Sequence, residues 1–130
     1  MLYVIDPNES DRNSICALAG RLGYPTMALS SAESLLSCEQ VGESGDCVIT
    51  EMDLPGISGI ELVRRLRARQ IAAPVIILTA NPDVSSAVEA FRDKNPAYAY
   101  MTKPFVERKL ASCLASLADG HVGPDGSASD

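Results

Sequence analysis

The sequence predicts an α/β fold in which a parallel sheet carries helices on both faces. Short apolar runs alternate with amphipathic segments through most of the chain, which is the pattern of successive β–α units. The apolar runs are brief and nearly uninterrupted, as in strands that are buried on both faces. The chain has 130 residues, enough for one good core and too few for two. We therefore predict a doubly wound, five-stranded (βα)5 domain over residues 1–119, with a tail at 120–130.

Five strands and five helices follow from this alternation. The predicted strands are residues 2–5, 25–29, 47–50, 75–78 and 97–101. Apolar residues at helical spacing mark five stripes that are predicted to pack on the sheet. These stripes are Ile15, Leu18, Ala19, Leu22; Ala32, Leu35, Leu36; Gly59, Leu62, Val63, Leu66; Val84, Ala87, Val88, Phe91; and Leu110, Cys113, Leu114, Leu117. Ser30 and Glu33 have the spacing of a capping box at the start of the second helix.

Composition and charge exclude several classes of function. Eleven basic against seventeen acidic residues give a formal charge of −6, which argues against nucleic-acid binding by this domain alone. A run of arginines at 64, 65, 67 and 69 is therefore interpreted as a solvated helix face and not as a binding patch. The chain begins without the pattern of a signal peptide, and no segment approaches the length of a membrane span. We expect a cytoplasmic protein.

Cysteine spacing gives no sign of a zinc site. The chain has four cysteines, none in a CxxC pair, and its single histidine, His121, lies in the tail. We expect the cysteines to be reduced and buried. The tail itself, GHVGPDGSASD, is rich in Gly, Ser, Pro and Asp and is predicted to be flexible. A linker to an output domain is the preferred interpretation, and a frayed terminus is the alternative.

Polar residues stand where functional side chains gather in a parallel sheet, at the carboxyl ends of the strands. Asp6 and Pro7 follow the first strand, Glu51 the third, Thr79 the fourth and Lys103 the fifth. Each residue by itself has an ordinary explanation, such as a solvated acid, a helix cap or a surface lysine. Because the strands are predicted to be parallel, the two acids, the hydroxyl and the ammonium should instead converge on one cleft.

These positions and the motifs around them resemble the receiver domain of bacterial two-component response regulators. The motifs are LYVID at the first strand, PGISG at 55–59, ILTA at the end of the fourth strand, and TKPF at 102–105. The resemblance covers residues 2–118, and the pattern looks most like receivers of the FixJ and NarL kind. It implies a flavodoxin-like sheet with strand order 2-1-3-4-5 and a role in two-component signal transduction or a phosphorelay.

The resemblance also implies roles for individual residues. The family's phosphoacceptor aspartate stands four residues before the proline of the PG turn, where this chain has Glu51, and its Mg²⁺ site uses two adjacent acids, where this chain has Asp6 and Pro7. Thr79 corresponds to the hydroxyl that binds the phosphoryl group. Lys103 corresponds to the lysine that neutralises it, before a proline whose peptide bond is typically cis. Tyr100 is at the position of the switch aromatic.

Both departures weaken the family's chemistry. A glutamate carries its oxygens about 1.5 Å beyond those of an aspartate, and a misplacement of ~1 Å can lower a rate about a hundredfold. Pro7 supplies neither a carboxylate nor an N–H to the near-octahedral shell that Mg²⁺ requires. Asp6, Glu51 and Lys103 together leave a cleft charge of only −1. We expect Glu51 to reach Lys103 or Thr79 and to act as a permanent anion.

The leading hypothesis is a pseudo-receiver: a phosphorylation-independent signalling and protein-interaction module, with neither enzymatic activity nor a cofactor or metal. Its partners would be a histidine kinase, an output domain or a second copy, bound through the face of helix 4, strand 5 and helix 5. The alternative is a phosphoaccepting receiver that uses Asp53 or Glu51 with Mg²⁺. A flavodoxin-like cofactor binder is less favoured, because the loop after the first strand, DPNES, is acidic and no GxGxxG motif is present. A decayed site without signalling consequence is the remaining possibility.

Overall fold

The computed structural model describes residues 1–38, 40–43, 45–81, 84–92 and 97–118. Within these ranges strands and helices alternate from the first strand to the last helix. The strands are β1 (Leu2–Ile5), β2 (Thr26–Leu29), β3 (Cys47–Glu51), β4 (Val75–Thr79) and β5 (Ala99–Thr102). The helices are α1 (Glu9–Arg21), α2 (Ala32–Leu36), α3 (Gly59–Ala68), α4 (Val84–Ala90) and α5 (Glu107–Ala118).

The five strands form one parallel sheet in the order β2-β1-β3-β4-β5. This order confirms the doubly wound fold class predicted from the sequence. The register aligns the ends of the strands: Ile5 pairs with Thr50, Glu51 with Leu78, and Thr79 with Thr102. The carboxyl ends of β1, β3, β4 and β5 therefore lie side by side at one edge of the sheet.

The core has two layers, one on each face of the sheet. Side chains alternate along β1, so that Tyr3 and Ile5 join one layer while Leu2 and Val4 join the other. Helices α2 and α3 cover the first layer and α1 and α5 cover the second. Every residue of β3 and β4 is buried, which explains why these strands appear as continuous apolar runs in the sequence.

Helix α4 differs from the prediction in which of its faces is buried. The predicted stripe faces solvent: Val84 is 80% exposed, Val88 63% and Phe91 37%, whereas the residue that packs on the core is Ala90. The contact with the core is thus made by a small residue, and the larger apolar side chains of this short helix face outward. The periodicity correctly marks an apolar face, but it does not say whether the domain itself covers that face.

Two helix ends also differ from the prediction. Leu22 was expected in the core, but α1 ends at Arg21 and Leu22 follows it as a 43% exposed cap. The cap of α2 is Ser31 and not Ser30, because the Ser31 hydroxyl accepts from the Ser34 N–H. The Glu33 side chain, which the predicted capping box would turn back on its own helix, instead accepts a hydrogen bond from the Ile57 N–H at 3.2 Å.

The arginine run on α3 makes contacts within the domain. Arg64 forms ion pairs with Glu61 and with Glu89 of α4. Arg67 donates to two backbone carbonyls in the α3–β4 connection, and Arg69 donates to the carbonyl of Leu36. These side chains therefore tie α3 to neighbouring parts of the domain.

The remaining expectations concern the cysteines, the membrane and the tail. The four cysteines are free, but only Cys47 is buried; Cys16, Cys38 and Cys113 are half-buried, so the prediction of buried cysteines is wrong for these three. In the described part of the chain no helix is both long and apolar enough to cross a membrane. The predicted flexible tail at 120–130, including His121, lies outside the described residues.

Candidate functional site

The aligned strand ends bring the predicted site residues to one edge of the sheet. Asp6 follows β1, Glu51 is the last residue of β3, Thr79 is the last residue of β4, and Lys103 follows β5. Asp6, Glu51 and Thr79 are buried, and the Lys103 side chain is 9% exposed. The register of the sheet explains this convergence, since residues far apart in sequence end at the same level.

The ammonium of Lys103 lies at the centre of the site. Its Nζ atom donates to Asp6 Oδ2 at 2.7 Å and to Asp11 Oδ2 at 2.8 Å, and it lies 2.7 Å from Glu51 Oε1. Burial alone would lower the pKa of Lys103, but the hydrogen bonds that its ammonium donates to Asp11, Asp6 and Glu51 raise the pKa by more. The pKa therefore lies above that of an ordinary lysine, and the side chain is a fixed cation.

Both carboxylate oxygens of Asp6 have partners within the domain. Its Oδ1 accepts the N–H of Asn8 at 2.9 Å, while Oδ2 contacts Lys103. Its backbone carbonyl accepts from the Arg12 guanidinium at 2.7 Å. Pro7 lies between Asp6 and Asn8, is exposed, and has neither a polar side-chain atom nor a backbone N–H to offer the cleft.

Glu51 uses both carboxylate oxygens within the site. Oε1 pairs with Lys103, and Oε2 accepts the backbone N–H of Asp53 at 2.9 Å. Of the two contacts considered for Glu51 from the sequence, the structure shows the one with Lys103. The side chain of Asp53 is exposed, so the loop turns this second acid out of the cleft while its backbone N–H faces Glu51.

Thr79 and the segment after β5 complete the cleft. The Thr79 hydroxyl is fully buried and accepts the N–H of Asn81 at 3.1 Å, and its carbonyl accepts the N–H of Lys103 at 2.8 Å. The Lys103–Pro104 peptide bond is cis. The hydroxyl of Tyr100 is buried and has no hydrogen-bond partner among the described residues. Its ring packs against the core layer under α2 and α3, so this aromatic points inward.

Asp11 is the site residue that the sequence analysis missed. It lies in the first turn of α1, outside the strand ends that were searched, and its carboxylate reaches Lys103 from the helix. Three carboxylates and one ammonium make the cleft charge −2, so the predicted value of −1 is wrong. An acid in the first turn of the helix after β1 was the available signal, since such a residue points back toward the strand ends.

A brace from α2 positions the loop that follows β3. The Glu33 carboxylate accepts the Ile57 N–H, and a Cβ at Gly56 would lie only 2.4 Å from Glu33 Oε2. Gly56 also has a φ of +87°, which favours glycine. A side chain at position 56 would therefore displace the Glu33 carboxylate from this contact, and the positive φ of the turn independently favours glycine.

The chain belongs to the response regulator receiver domain family, whose model matches residues 2–115. Receiver domains of this kind are signalling modules of two-component response regulators. The match agrees with the five-stranded fold and with the converging acids, hydroxyl and lysine described above.

Among individual proteins, the chain is similar to the transcriptional regulatory protein FixJ of Bradyrhizobium diazoefficiens, with 34% identity over 115 residues, covering 88% of this chain and 55% of that protein. FixJ of Azorhizobium caulinodans is 35% identical over 117 residues, covering 89% of this chain and 54% of that protein. The chain thus spans about half the length of these relatives.

Solved structures of receiver domains are also similar to this chain. The FixJ-N crystal structure has a TM-score of 0.80 at 27% identity, covering 94% of this chain and 95% of that one. A receiver protein from Pseudoalteromonas atlantica has a TM-score of 0.81 at 26% identity, covering 92% of this chain and 97% of that one.

Proposed function

We propose that this receiver domain is a pseudo-receiver, a phosphorylation-independent signalling and interaction module without enzymatic activity of its own. The observation that carries the proposal is Glu51. It stands at the position that the receiver pattern gives to the phosphoacceptor, and both of its oxygens are bound inside the domain, one to Lys103 and one to the Asp53 N–H.

Phosphoryl transfer depends on placing the accepting oxygen in line with the leaving group. A glutamate at this position carries its oxygens about 1.5 Å further than an aspartate, and here that extra reach is used to contact the lysine. The Glu51 carboxylate is therefore proposed as a built-in anion beside Lys103. In this interpretation the cleft stabilises one conformation of the domain and does not cycle with phosphate.

The residues at the cleft do not fit the Mg²⁺ that receiver domains use. Mg²⁺ requires near-octahedral oxygen ligands at about 2.0–2.1 Å, and Pro7 contributes no ligand. The carboxylates that remain converge on the ammonium of Lys103. In the described part of the chain no cluster of three acidic, histidine or cysteine side chains has the arrangement of a metal site. We therefore propose a module that acts without metal or cofactor.

The proposed contact surface consists of α4, β5 and α5. Val84 and Val88 on α4 and Phe91 just after it are exposed apolar side chains, and Val106, just before α5, is 49% exposed. A neighbouring hollow of about 250 Å³ is lined by Tyr100 and by residues 101, 102, 104–106 and 109. A histidine kinase, an output domain or a second copy of this chain would bury these apolar side chains from water.

The alternative function is a phosphoaccepting receiver that uses Asp53 or Glu51. In favour of Asp53 is its exposure in the same loop. Against it, only its backbone N–H faces the cleft, whereas the Lys103 ammonium that would neutralise a phosphoryl group lies with Glu51. A nucleotide or flavin phosphate is also disfavoured, because it would meet a cleft of net negative charge.

Phosphodonor treatment tests the proposal. The protein is incubated with Mg²⁺ and a small acyl phosphate, and its intact mass is measured over time. We expect no stoichiometric phosphoryl adduct on the natural sequence. Stoichiometric phosphorylation that is lost in Asp53→Asn or Glu51→Gln would establish the alternative function instead.

A matched variant tests whether Pro7 and Glu51 are the reason that the domain does not take up phosphate. The Pro7→Asp, Glu51→Asp double variant restores the acid pattern of the family on the same scaffold. We expect this variant to take up phosphate under conditions in which the natural sequence does not. A folded double variant that takes up no phosphate would show that Pro7 and Glu51 do not by themselves explain the absence of phosphorylation, and it would contradict the role proposed for them.

A further inference from the structure

A third carboxylate, Asp11, contacts Lys103 from outside the set of strand ends. Its Oδ2 lies 2.8 Å from the Lys103 Nζ, and residues 11 and 103 are separated by 92 positions in sequence. The receiver pattern described above gives no role to a residue at this position. Asp11 nevertheless makes a contact as short as those of Asp6 and Glu51.

The contact with Asp11 completes the surroundings of the ammonium. A lysine ammonium has three N–H donors and no acceptor. Here three carboxylate oxygens lie within 2.7–2.8 Å of Nζ, one each from Asp6, Asp11 and Glu51. Every donor therefore has an acceptor within the domain, and none remains for an oxygen of an external anion.

The three carboxylates differ in their exposure to solvent. The side chains of Asp6 and Glu51 are 1% and 9% exposed, whereas that of Asp11 is 41% exposed. Two acids thus hold the ammonium from within the protein, and Asp11 covers it on the solvent side. An anion that approaches from solvent meets the negative charge of Asp11 before it reaches Lys103.

Local structure fixes Asp11 in this position. Asn8 caps α1, and its Oδ1 accepts the backbone N–H of Asp11 at 2.9 Å. The Asn8 N–H in turn donates to Asp6 Oδ1, so the first turn of the helix is tied to the buried acid. A carboxylate in the first turn is also stabilised by the helix dipole.

We propose that Asp11 is a positioning residue that secures Lys103 and closes it to anions from solvent. Pro7 stands where the receiver pattern has a second acid for the metal. Asp11 supplies a carboxylate in its place, but this carboxylate contacts Lys103 and not a metal. The inference rests on the proposed function in one respect: it assumes a cleft that does not accept phosphate, for which the covering of Lys103 by Asp11 would be a further cause.

Amine labelling tests the closure of Lys103 directly. The chain has only three lysines, at positions 94, 103 and 109, so the extent of acylation at each can be followed by peptide mass. Lys109 has an exposed side chain and serves as the internal standard. In Asp11→Asn we expect the rate at Lys103 relative to Lys109 to rise about tenfold, because losing one ion pair lowers the lysine pKa and uncovers its solvent side.

The matched control is Glu9→Gln. Glu9 is an exposed acid in the same first turn, and its substitution removes the same charge from the helix. We expect it to leave the relative rate at Lys103 within about twofold of the natural sequence. An unchanged rate in Asp11→Asn, or an equal rise in both variants, would overturn the inference, since neither result is compatible with a specific contact.

A second measurement addresses exclusion of anions. Asp11→Asn is added to the Pro7→Asp, Glu51→Asp double variant, and the rate of phosphorylation by a small acyl phosphate is compared. We expect the triple variant to react about tenfold faster than the double variant. Equal or slower reaction would refute exclusion of anions by Asp11. Phosphorylation of the natural sequence would instead refute the proposed function and leave the labelling result to decide the role of Asp11.

Discussion

At the level of single residues, the cleft depends on a close approach between α3 and the end of β3. Gly59 is the first residue of α3, and its N–H donates to the Met52 carbonyl at 2.9 Å. A Cβ at position 59 would lie 2.9 Å from the carbonyl oxygen of Glu51 and 3.2 Å from the Met52 Cα. These are backbone atoms, which cannot move aside as a flexible side chain can.

We therefore predict that Gly59→Ala lowers the free energy of unfolding by about 1–3 kcal/mol, the usual cost of overpacking. Urea unfolding followed by circular dichroism measures it. The matched control is Gly20→Ala in α1, where a Cβ would meet nothing within 4 Å. That variant should gain about 0.5–1 kcal/mol from helix propensity. Equal effects of the two substitutions would contradict the close approach.

At the level of elements, α4 stands apart from the other helices because its larger apolar side chains face water. Its contact with the core is made through Ala90, and an ion pair between Glu89 and Arg64 links it to α3. A helix so attached contributes little apolar burial to the domain. Its exposed face therefore adds little to the stability of the fold, and this is the reason for including it in the proposed contact surface.

We predict that Val88→Ser changes the free energy of unfolding by less than about 0.5 kcal/mol, as is usual for exposed positions. Leu62→Ala on α3, where the side chain is fully buried, should cost about 2–5 kcal/mol. Thermal unfolding compares the two variants. A large loss of stability in Val88→Ser would show that the α4 face packs within the domain and would remove it from the proposed contact surface.

At the level of the whole molecule, several buried groups have raised pKa values, and they make the folding stability fall as pH rises into the alkaline range. Burial raises the pKa of the Cys47 thiol from 9.0 to about 12. Burial, followed by the nearby charge of Asp46, raises the pKa of Tyr3 from 10.0 to about 12. The pKa of Lys103 is also raised, by its carboxylate partners against the effect of burial.

All three groups act in the same direction. Each has a higher pKa in the folded chain than in the unfolded chain, so the unfolded chain loses protons first as pH rises. The stabilising contribution is complete below the unfolded value of Cys47, near pH 9, and is lost as pH rises toward about 12. We predict that Tm falls by roughly 5 °C between about pH 8 and about pH 10.5.

Thermal melts under reducing conditions measure this dependence. In Cys47→Ala the decline of Tm with pH should become shallower, whatever the Tm at neutral pH, because one of the proton-holding groups has been removed. A Tm that is constant or rises up to about pH 10.5 would be incompatible with the raised pKa values.

The sequence by itself determined the strand and helix order, the doubly wound class and four side chains at the strand ends. It could do so because apolar periodicity and strand-end position are local properties of the chain. Helix α3 illustrates this, since Gly59, Leu62, Val63 and Leu66 are all buried as predicted. The contact between Glu51 and Lys103 could likewise be anticipated, because parallel register brings the ends of β3 and β5 together.

Only the tertiary structure decided which apolar faces are covered and which acids reach the lysine. The stripe on α4 has the same spacing as that on α3, yet Val84 and Val88 face solvent, because burial depends on what lies opposite. The place of Asp11 in the first turn of α1 puts it near the strand ends, but its contact with Lys103 depends on how α1 leaves β1 and where the chain after β5 places Lys103. Periodicity records the character of a face, whereas contact between distant residues requires the packing of the whole domain.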